Sequence, residues 1–566
     1  MDVEIIGITL QIVLVIALSY PLGRYIAKVY RGERSLLDFL APFENGLYRL
    51  CGIDPKEEMT WKRFLVVLLT VNLFWFVWGM VLLLAQGVLP LNPDGNAGQE
   101  FWQAFNTCIS FLVNCNLQHY SGESGATYFT QLFVVMLFQF LTAATGMAAL
   151  AAVFKGMAAK TTRTLGNFWV YLVRSVTRIL LPLSFVVAIL LILGGIPMTL
   201  EGKQTLRTLE GDEQTISQGP VAAVVAIKQL GTNGGGFFGA NSSHPLENPT
   251  YFTNMVECIS IILIPMAMIW ALGFYLKRRK LAVCIFGVML VAYLAGVFVS
   301  VDQELGGNPH IEQLGIAQTM GSMEGKETRI GSAATALWAM TTTATSNGSV
   351  NGMHDSLTPV TGALAMLNMQ INCWFGGVGV GFMNYYIFII IAVFLSGLMV
   401  GRTPEFLGKK IEAREMKIAI IIALLHPFVI LCATALSSYL AHSDPTLAAA
   451  WLNNSSFHGL SEMLYEFTSA AANNGSGFEG LGDNTPFWNI STGIVLLLSR
   501  YLPIIGQVAI VGILAQKRYV PASAGTLRTD TATFSVMTFV VIFIIAALAF
   551  FPALTLGPIA EFLTIN

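Results

Sequence analysis

The chain has 566 residues, 54% of them hydrophobic and only 11% charged. Soluble domains carry about a quarter charged residues, so this composition belongs in a bilayer, and a formal net charge of −2 without a basic or acidic tail excludes nucleic acid as a partner. Seven cysteines, never spaced Cys-x-x-Cys, exclude a disulfide framework and a zinc site.

In chain order, apolar runs occupy residues 5–22, 64–84, 129–153, 179–193, 255–275, 281–301, 364–400, 418–440, 487–516 and 534–556. A helix needs about 20 residues to cross a bilayer, so the runs predict ten spans and an all-α polytopic membrane protein. The first run lacks a charged leading segment and a small-residue cleavage site, and reads as a retained span. The runs at 364–400 and 487–516 exceed one crossing, and each reads as a single kinked or interrupted helix. Loop charge checks the count. Of 31 Lys and Arg, 25 fall in five clusters, at 24–63, 155–178, 277–280, 402–417 and 517–528. Each cluster follows an odd-numbered span, which places all five in the cytoplasm and both termini outside.

Each of the four long outside loops holds a short apolar stretch of helical length, at 101–113, 221–231, 333–344 and 460–472. Each stretch ends in a polar segment: Asn114-Cys115-Asn116-Leu117-Gln118, Thr232-Asn233-Gly234-Gly235-Gly236, Ser346-Asn347-Gly348-Ser349, and Asn473-Asn474-Gly475-Ser476-Gly477. Anchored on Asn114, Asn233, Asn347 and Asn474, the segments recur about every 120 residues, the period of one repeated supersecondary unit. The predicted unit is span, short helix, polar segment, span. It repeats over 64–154, 155–276, 277–410 and 411–520 with pseudo-fourfold symmetry, while 1–63 and 521–566 add one span each.

Non-helical backbone lies at membrane depth only where it is buried in protein or lines a water-filled cavity. Four such segments about one axis form rings of carbonyl oxygens that replace a cation's hydration shell. The partly negative C-terminal ends of the short helices point at the ion. No carboxylate lies in the four segments, so the site suits a weakly hydrated monovalent cation such as potassium rather than calcium. One Asn-Gly segment alone would read as a surface turn; four in register do not.

Other residues stand out. Arg500 is the only basic residue inside a predicted span, and an intramembrane arginine marks a functional position by default. Gly376-Gly377-Val378-Gly379 interrupts the seventh span and reads as a flexible break that gates the pore. Arg402, in Gly-Arg-Thr-Pro-Glu, reads as a cap or ion pair at the cytoplasmic helix end, with a subunit contact as the sharper role. His244 and His354, just past two segments, read as turn packing.

Four stretches carry a family resemblance: TNGGGFFGANSSHPLENPT at 232–250, TSNGSVNGMHDSLTP at 345–359, GRTPEFLGKKIEAREMK at 401–417 and ANNGSGFEGLGDNTPFWN at 472–489. Over essentially its whole length the chain resembles the potassium-binding, channel-like subunit of the bacterial Kdp potassium-transporting ATPase, within the superfamily of potassium transporters with four repeats in one chain. The resemblance implies a subunit of the bacterial inner membrane that selects K+ as cargo. A separate P-type ATPase subunit would hydrolyse ATP, beside a small single-span subunit and a further membrane-associated one. The ion would be held by Asn114, Cys115, Asn116, Gln118, Thr232, Asn233, Gly234, Ser346, Asn347, Gly348, Asn473, Asn474 and Gly475, then led sideways into the ATPase subunit. Arg500, Gly376, Gly377, Gly379 and Arg402 would gate or couple.

The sequence carries no DKTGT phosphorylation motif and no phosphate loop, so the chain reads as non-catalytic, without an organic cofactor. It departs from the filter pattern at Cys115, where many potassium filters place threonine. It has Ile371-Asn372-Cys373-Trp374 where family members often place a carboxylate. A stand-alone potassium channel or ion-coupled symporter of the same superfamily needs the same filter and is the alternative reading.

Overall fold

Threonine starts half of the ten spans. Thr60, Thr127, Thr250, Thr485 and Thr531 each precede a long helix and accept an N–H from its first turn through the hydroxyl. The computed structural model describes residues 2–521 and 527–565. Among them are ten helices long and apolar enough to cross a membrane, and they follow the predicted runs.

The first, α1 (Asp2–Arg31), is the extra N-terminal span. The first unit is α2 (Trp61–Ala85), the short α3 (Phe101–Leu112) and α4 (Tyr128–Ala158). The second is α5 (Phe168–Leu193), the short α6 (Val221–Leu230) and α7 (Tyr251–Tyr275). The third is α8 (Arg279–Gly306), the short α9 (Ser332–Ala344), then α10 (Pro359–Ile371) and α11 (Val380–Val400). The fourth is α12 (Ala413–Ser443), the short α13 (Ser456–Ala472) and α14 (Pro486–Gln516). The last span, α15 (Ala532–Leu554), leads to the terminal α16 (Ala560–Ile565). Two small antiparallel hairpins decorate the loops, at 204–216 and 405–410.

The two long runs differ from each other. The stretch 364–400 is interrupted at 372–379, where Asn372 takes a left-handed conformation as the C-cap of α10. The run 487–516 is instead one continuous helix containing Pro503; neighbouring packing and the adjusted backbone of a membrane helix accommodate the missing N–H.

The centre is packed by side chains of the short helices and the inner faces of the spans, among them Phe111, Phe138, Trp338, Tyr465 and Trp488, all shielded from solvent. The outer faces of the peripheral spans are bare and apolar: Ile6, Leu10 and Val13 on α1, Phe543 and Leu548 on α15. With hydrocarbon as solvent that surface carries no penalty. The extra spans hold on through a few polar ties. Trp270 on α7 donates to Ser19 of α1 at 3.2 Å, and Tyr385 on α11 pairs with Thr538 of α15 at 2.9 Å.

Candidate functional site

Each short helix ends on a residue in the left-handed region: Asn114 (φ 61), Thr232 (φ 48), Ser346 (φ 52) and Asn473 (φ 51). The next residue returns its N–H to the helix five residues back. Cys115 donates to Ser110 O (2.9 Å), Asn233 to Lys228 O (3.1 Å), Asn347 to Thr342 O (3.1 Å) and Asn474 to Ser469 O (2.9 Å). This register corrects the sequence alignment by one residue in the first unit. Cys115, not Asn114, is the counterpart of Asn233, Asn347 and Asn474, and Asn116 stands where the other units have Gly234, Gly348 and Gly475.

The three asparagines work alike. Each side-chain oxygen accepts the N–H two residues on, from Gly235 (3.2 Å), Ser349 (2.9 Å) and Ser476 (3.0 Å). The Asn347 amide also donates back to Lys228 O of the second unit (3.3 Å), and Asn474 to Thr342 O of the third (2.8 Å). These two bonds are the same contact one unit apart.

The segments meet in a closed circuit. Asn114 Nδ2 joins the first to the second through Gly231 O (3.0 Å) and Thr232 O (3.2 Å). Gln118 pairs with the backbone of Gly236, accepting at 2.9 Å and donating at 3.3 Å. The second presses on the third so closely that a methyl on Gly234 would strike Asn347 O, and one on Gly348 would strike Asn474 O of the fourth. The N–H of Asn116 reaches Asn474 O at 3.4 Å and closes the fourth onto the first. Both glycines have positive φ, 81° and 88°, so side chain and backbone each exclude other residues there. The Asn116 amide donates to Gly234 O and, at 3.3 Å, to Gly348 O, and its Oδ1 is buried without a hydrogen-bond partner among the described residues. The second ring position is therefore asymmetric.

The sequence reading missed what braces the second segment. Lys228 is fully buried and ion-paired with Glu247, and its Nζ donates to Asn241 Oδ1 (2.6 Å) and Ser242 Oγ (2.7 Å). Asn241 in turn donates to Gly234 O at 2.9 Å. A buried lysine is tolerated only when paired and hydrogen-bonded, so a charge in an apolar decapeptide, Val221–Leu230, was the available signal. Beside the first segment His119 bonds Asn489 Oδ1 (2.9 Å) and Glu466 (3.2 Å), with Asp483 at 3.9 Å. Burial opposes its protonation, but Asp483 and Glu466 outweigh that and hold it at about 9.

Arg500, on α14, is buried and makes no hydrogen bond or ion pair with any described residue. Its guanidinium lies 3.4 Å from where a Gly146 side chain would begin, and the same point abuts Val378 O. Arginine, α4 and the 372–379 break thus converge. The break is pinned to the ring from below: Val378 N donates to Thr232 Oγ1 (2.9 Å), Gly376 N to Ala344 O (2.9 Å), and Ser346 Oγ bonds Asn372 (2.9 Å). Gly376 and Gly379 have positive φ, whereas Gly377 does not. A further polar chain, unnoticed in the sequence, runs from Asn372 O through Asn384 to Gln507.

Arg402 is not brought in. It is exposed at the end of α11, and its side chain forms neither the expected cap nor an ion pair among the described residues. His244 stacks on Phe238 at 3.8 Å, and His354 bonds Tyr465 OH at 2.8 Å.

The family described as the potassium-transporting ATPase A subunit matches residues 9–563. A protein of Bacteroides thetaiotaomicron named potassium-transporting ATPase potassium-binding subunit is 70% identical over 100% of both chains. One of the same name from Geobacillus kaustophilus is 48% identical over 99% of both. Among solved structures, the potassium transporter TrkH of Vibrio parahaemolyticus covers 89% of this chain and 98% of its own at a TM-score of 0.49 and 14% identity. With matches that run from end to end, the chain belongs to the family of potassium-transporting ATPase A subunits.

Proposed function

We propose that this chain is the potassium-selecting subunit of an ATP-driven uptake pump in a bacterial cytoplasmic membrane. The observation that carries the reading is the closed circuit of four segments, each at the C-terminal end of a short helix. Carbonyls of Asn114, Cys115, Thr232, Asn233, Ser346, Asn347, Asn473 and Asn474 stack in rings, with Gly234, Gly348, Gly475 and Asn116 as the next tier. A weakly hydrated cation exchanges its water for such oxygens at little cost, whereas a smaller ion does not recover its hydration energy. Gln118 steadies the rim. Arg500 places positive charge beside the break and limits how many cations gather beneath the rings. The break at 372–379 gates the way toward the catalytic subunit.

ATP hydrolysis belongs to that separate P-type ATPase subunit, with a single-span subunit and a further one completing the assembly. End-to-end likeness to relatives named as ATPase subunits favours this reading over a stand-alone channel or symporter. The five basic clusters support placing both termini outside the cytoplasm. The test is to purify the chain with its associated proteins and follow ATP hydrolysis against potassium concentration. We expect potassium-stimulated hydrolysis, and Gly348→Ala is expected to abolish the stimulation by closing the ring onto Asn474. A chain that purifies alone and passes potassium without ATP would refute the pump assignment.

A further inference from the structure

At the inner ends of α1, α7 and α8, beneath the membrane-facing core, lies a cavity of 1020 Å³. Its walls carry Arg24, Lys28, Lys277, Arg278 and Lys280, none of whose side chains has a hydrogen-bond or salt-bridge partner among the described residues. The two carboxylates in the lining are already engaged: Glu33 with Arg31 at 3.2 Å and Asp530 with Arg528 at 3.2 Å. The lining thus holds eight cations against two carboxylates, both already paired.

The start of α8 sharpens the imbalance. A helix N-terminus carries about half a positive charge and favours acidic residues in its first turn. Here the first turn is Arg279-Lys280-Leu281, with no acidic residue, and Arg278 at the N-cap offers no side-chain acceptor. Arg279, also in the lining, lies over the Phe274 ring at 5.2 Å. Basic residues at a cytoplasmic face satisfy the positive-inside rule anywhere on that face; convergence into a hollow, around an uncapped helix N-terminus, is a separate property and is that of an anion site.

We propose that this cavity binds a phosphate-bearing anion, and that its source is the headgroup of an anionic phospholipid. Of the apolar lining, Ala27 and Leu281 are buried, while Phe274 packs edge-on against Tyr20 of α1 at 5.2 Å. Tyr20 lies exposed on α1, two turns from Val13 on the same bare apolar face. A phosphodiester would sit among Lys28, Arg278 and Lys280 while its chains follow that face. A soluble phosphate uses the same cations but not the apolar path.

The purified, delipidated assembly in detergent is titrated with short-chain phosphatidylglycerol, short-chain phosphatidylcholine and inorganic phosphate, with bound molecules counted by native mass spectrometry. Wild type is expected to retain phosphatidylglycerol and not phosphatidylcholine. In the triple variant Lys28→Gln, Arg278→Gln, Lys280→Gln, affinity for phosphatidylglycerol should fall on the order of a hundredfold, each charge contributing about fivefold. Rubidium binding by the same variant, unchanged, shows that fold and filter are intact and separates this test from the filter reading. Inorganic phosphate bound with the same sensitivity to the variant, without lipid, supports the site and assigns it to a soluble anion. Equal retention of phosphatidylglycerol by wild type and variant, or of both lipids by wild type, overturns the proposal. So does a variant that loses only a co-purifying subunit, which would make the cavity a protein contact.

Discussion

Arg500 shows how much one side chain can depend on a shape built by others. Nothing among the described residues neutralises it, and an isolated buried guanidinium is tolerated only where water or mobile ions lie near. Its approach to Gly146 and Val378 brings the charge next to the 372–379 break. Arg500→Gln is expected to raise passive rubidium leak into vesicles containing the assembly and to shift apparent potassium affinity by about tenfold, the scale of one partly screened charge a few ångströms away. A variant with unchanged leak and affinity would leave Arg500 a packing residue. The segments that meet in the circuit could be located from sequence because Asn and Gly recur in the same order in three of the four. The one-residue slip in the first unit arose because Asn114 resembles Asn233 in type but matches Thr232 in conformation. The left-handed φ is invisible in a residue name, although asparagine is the non-glycine residue best able to adopt it.

Among elements, the junction of α10 and α11 is where backbone geometry decides most. Gly379 (φ 85) lies against the backbone of Gly146 on α4, and any side chain there would collide. Gly379→Ala should abolish potassium-stimulated hydrolysis, whereas Gly377→Ala, at a position without positive φ or a backbone collision, should retain most of it. Equal loss in both would show that the break responds to bulk in general rather than to the α4 contact. A second junction ties the outer ends of three elements together. His458, on α13, bonds Asp355 at 2.9 Å and Glu561 of α16 at 2.8 Å. Burial opposes its protonation, yet the bonds to the two carboxylates raise it from its ordinary 6.5 to about 10. The folded protein thus keeps a proton that the unfolded chain releases. The stabilisation is whole below 6.5 and drains away as pH climbs toward 10. Melting temperature should fall across that window in wild type and fall less steeply in His458→Gln; parallel curves would remove the histidine from the account. This clasp is not legible along the chain, since each carboxylate lies 103 residues from the histidine, one on either side.

Over the whole molecule, span number, short helices and interrupted seventh span were legible because hydropathy and loop charge are one-dimensional quantities. What holds the circuit shut was not, since Lys228, Asn241 and Glu247 acquire meaning only as a buried pair behind Gly234. A repeated helix-start threonine after every polar segment, Thr127, Thr250, Thr358 and Thr485, was also readable and went unused. Orientation has its own test in a native thiol. Cys51 is exposed in the loop of the first basic cluster. A membrane-impermeant maleimide should label it in inside-out vesicles and not in intact cells; labelling of intact cells would invert the topology.

The thiol at Cys115 has a consequence of its own. Two of the three asparagines lace their unit to the one before, but the Asn233 amide nitrogen is buried and has no hydrogen-bond partner among the described residues. Four identical chains would have to repeat every joint. A single chain writes each quarter separately, and this one fastens its first two quarters with different groups, the side chains of Asn114, Asn116 and Gln118, in place of the lace the other joints use.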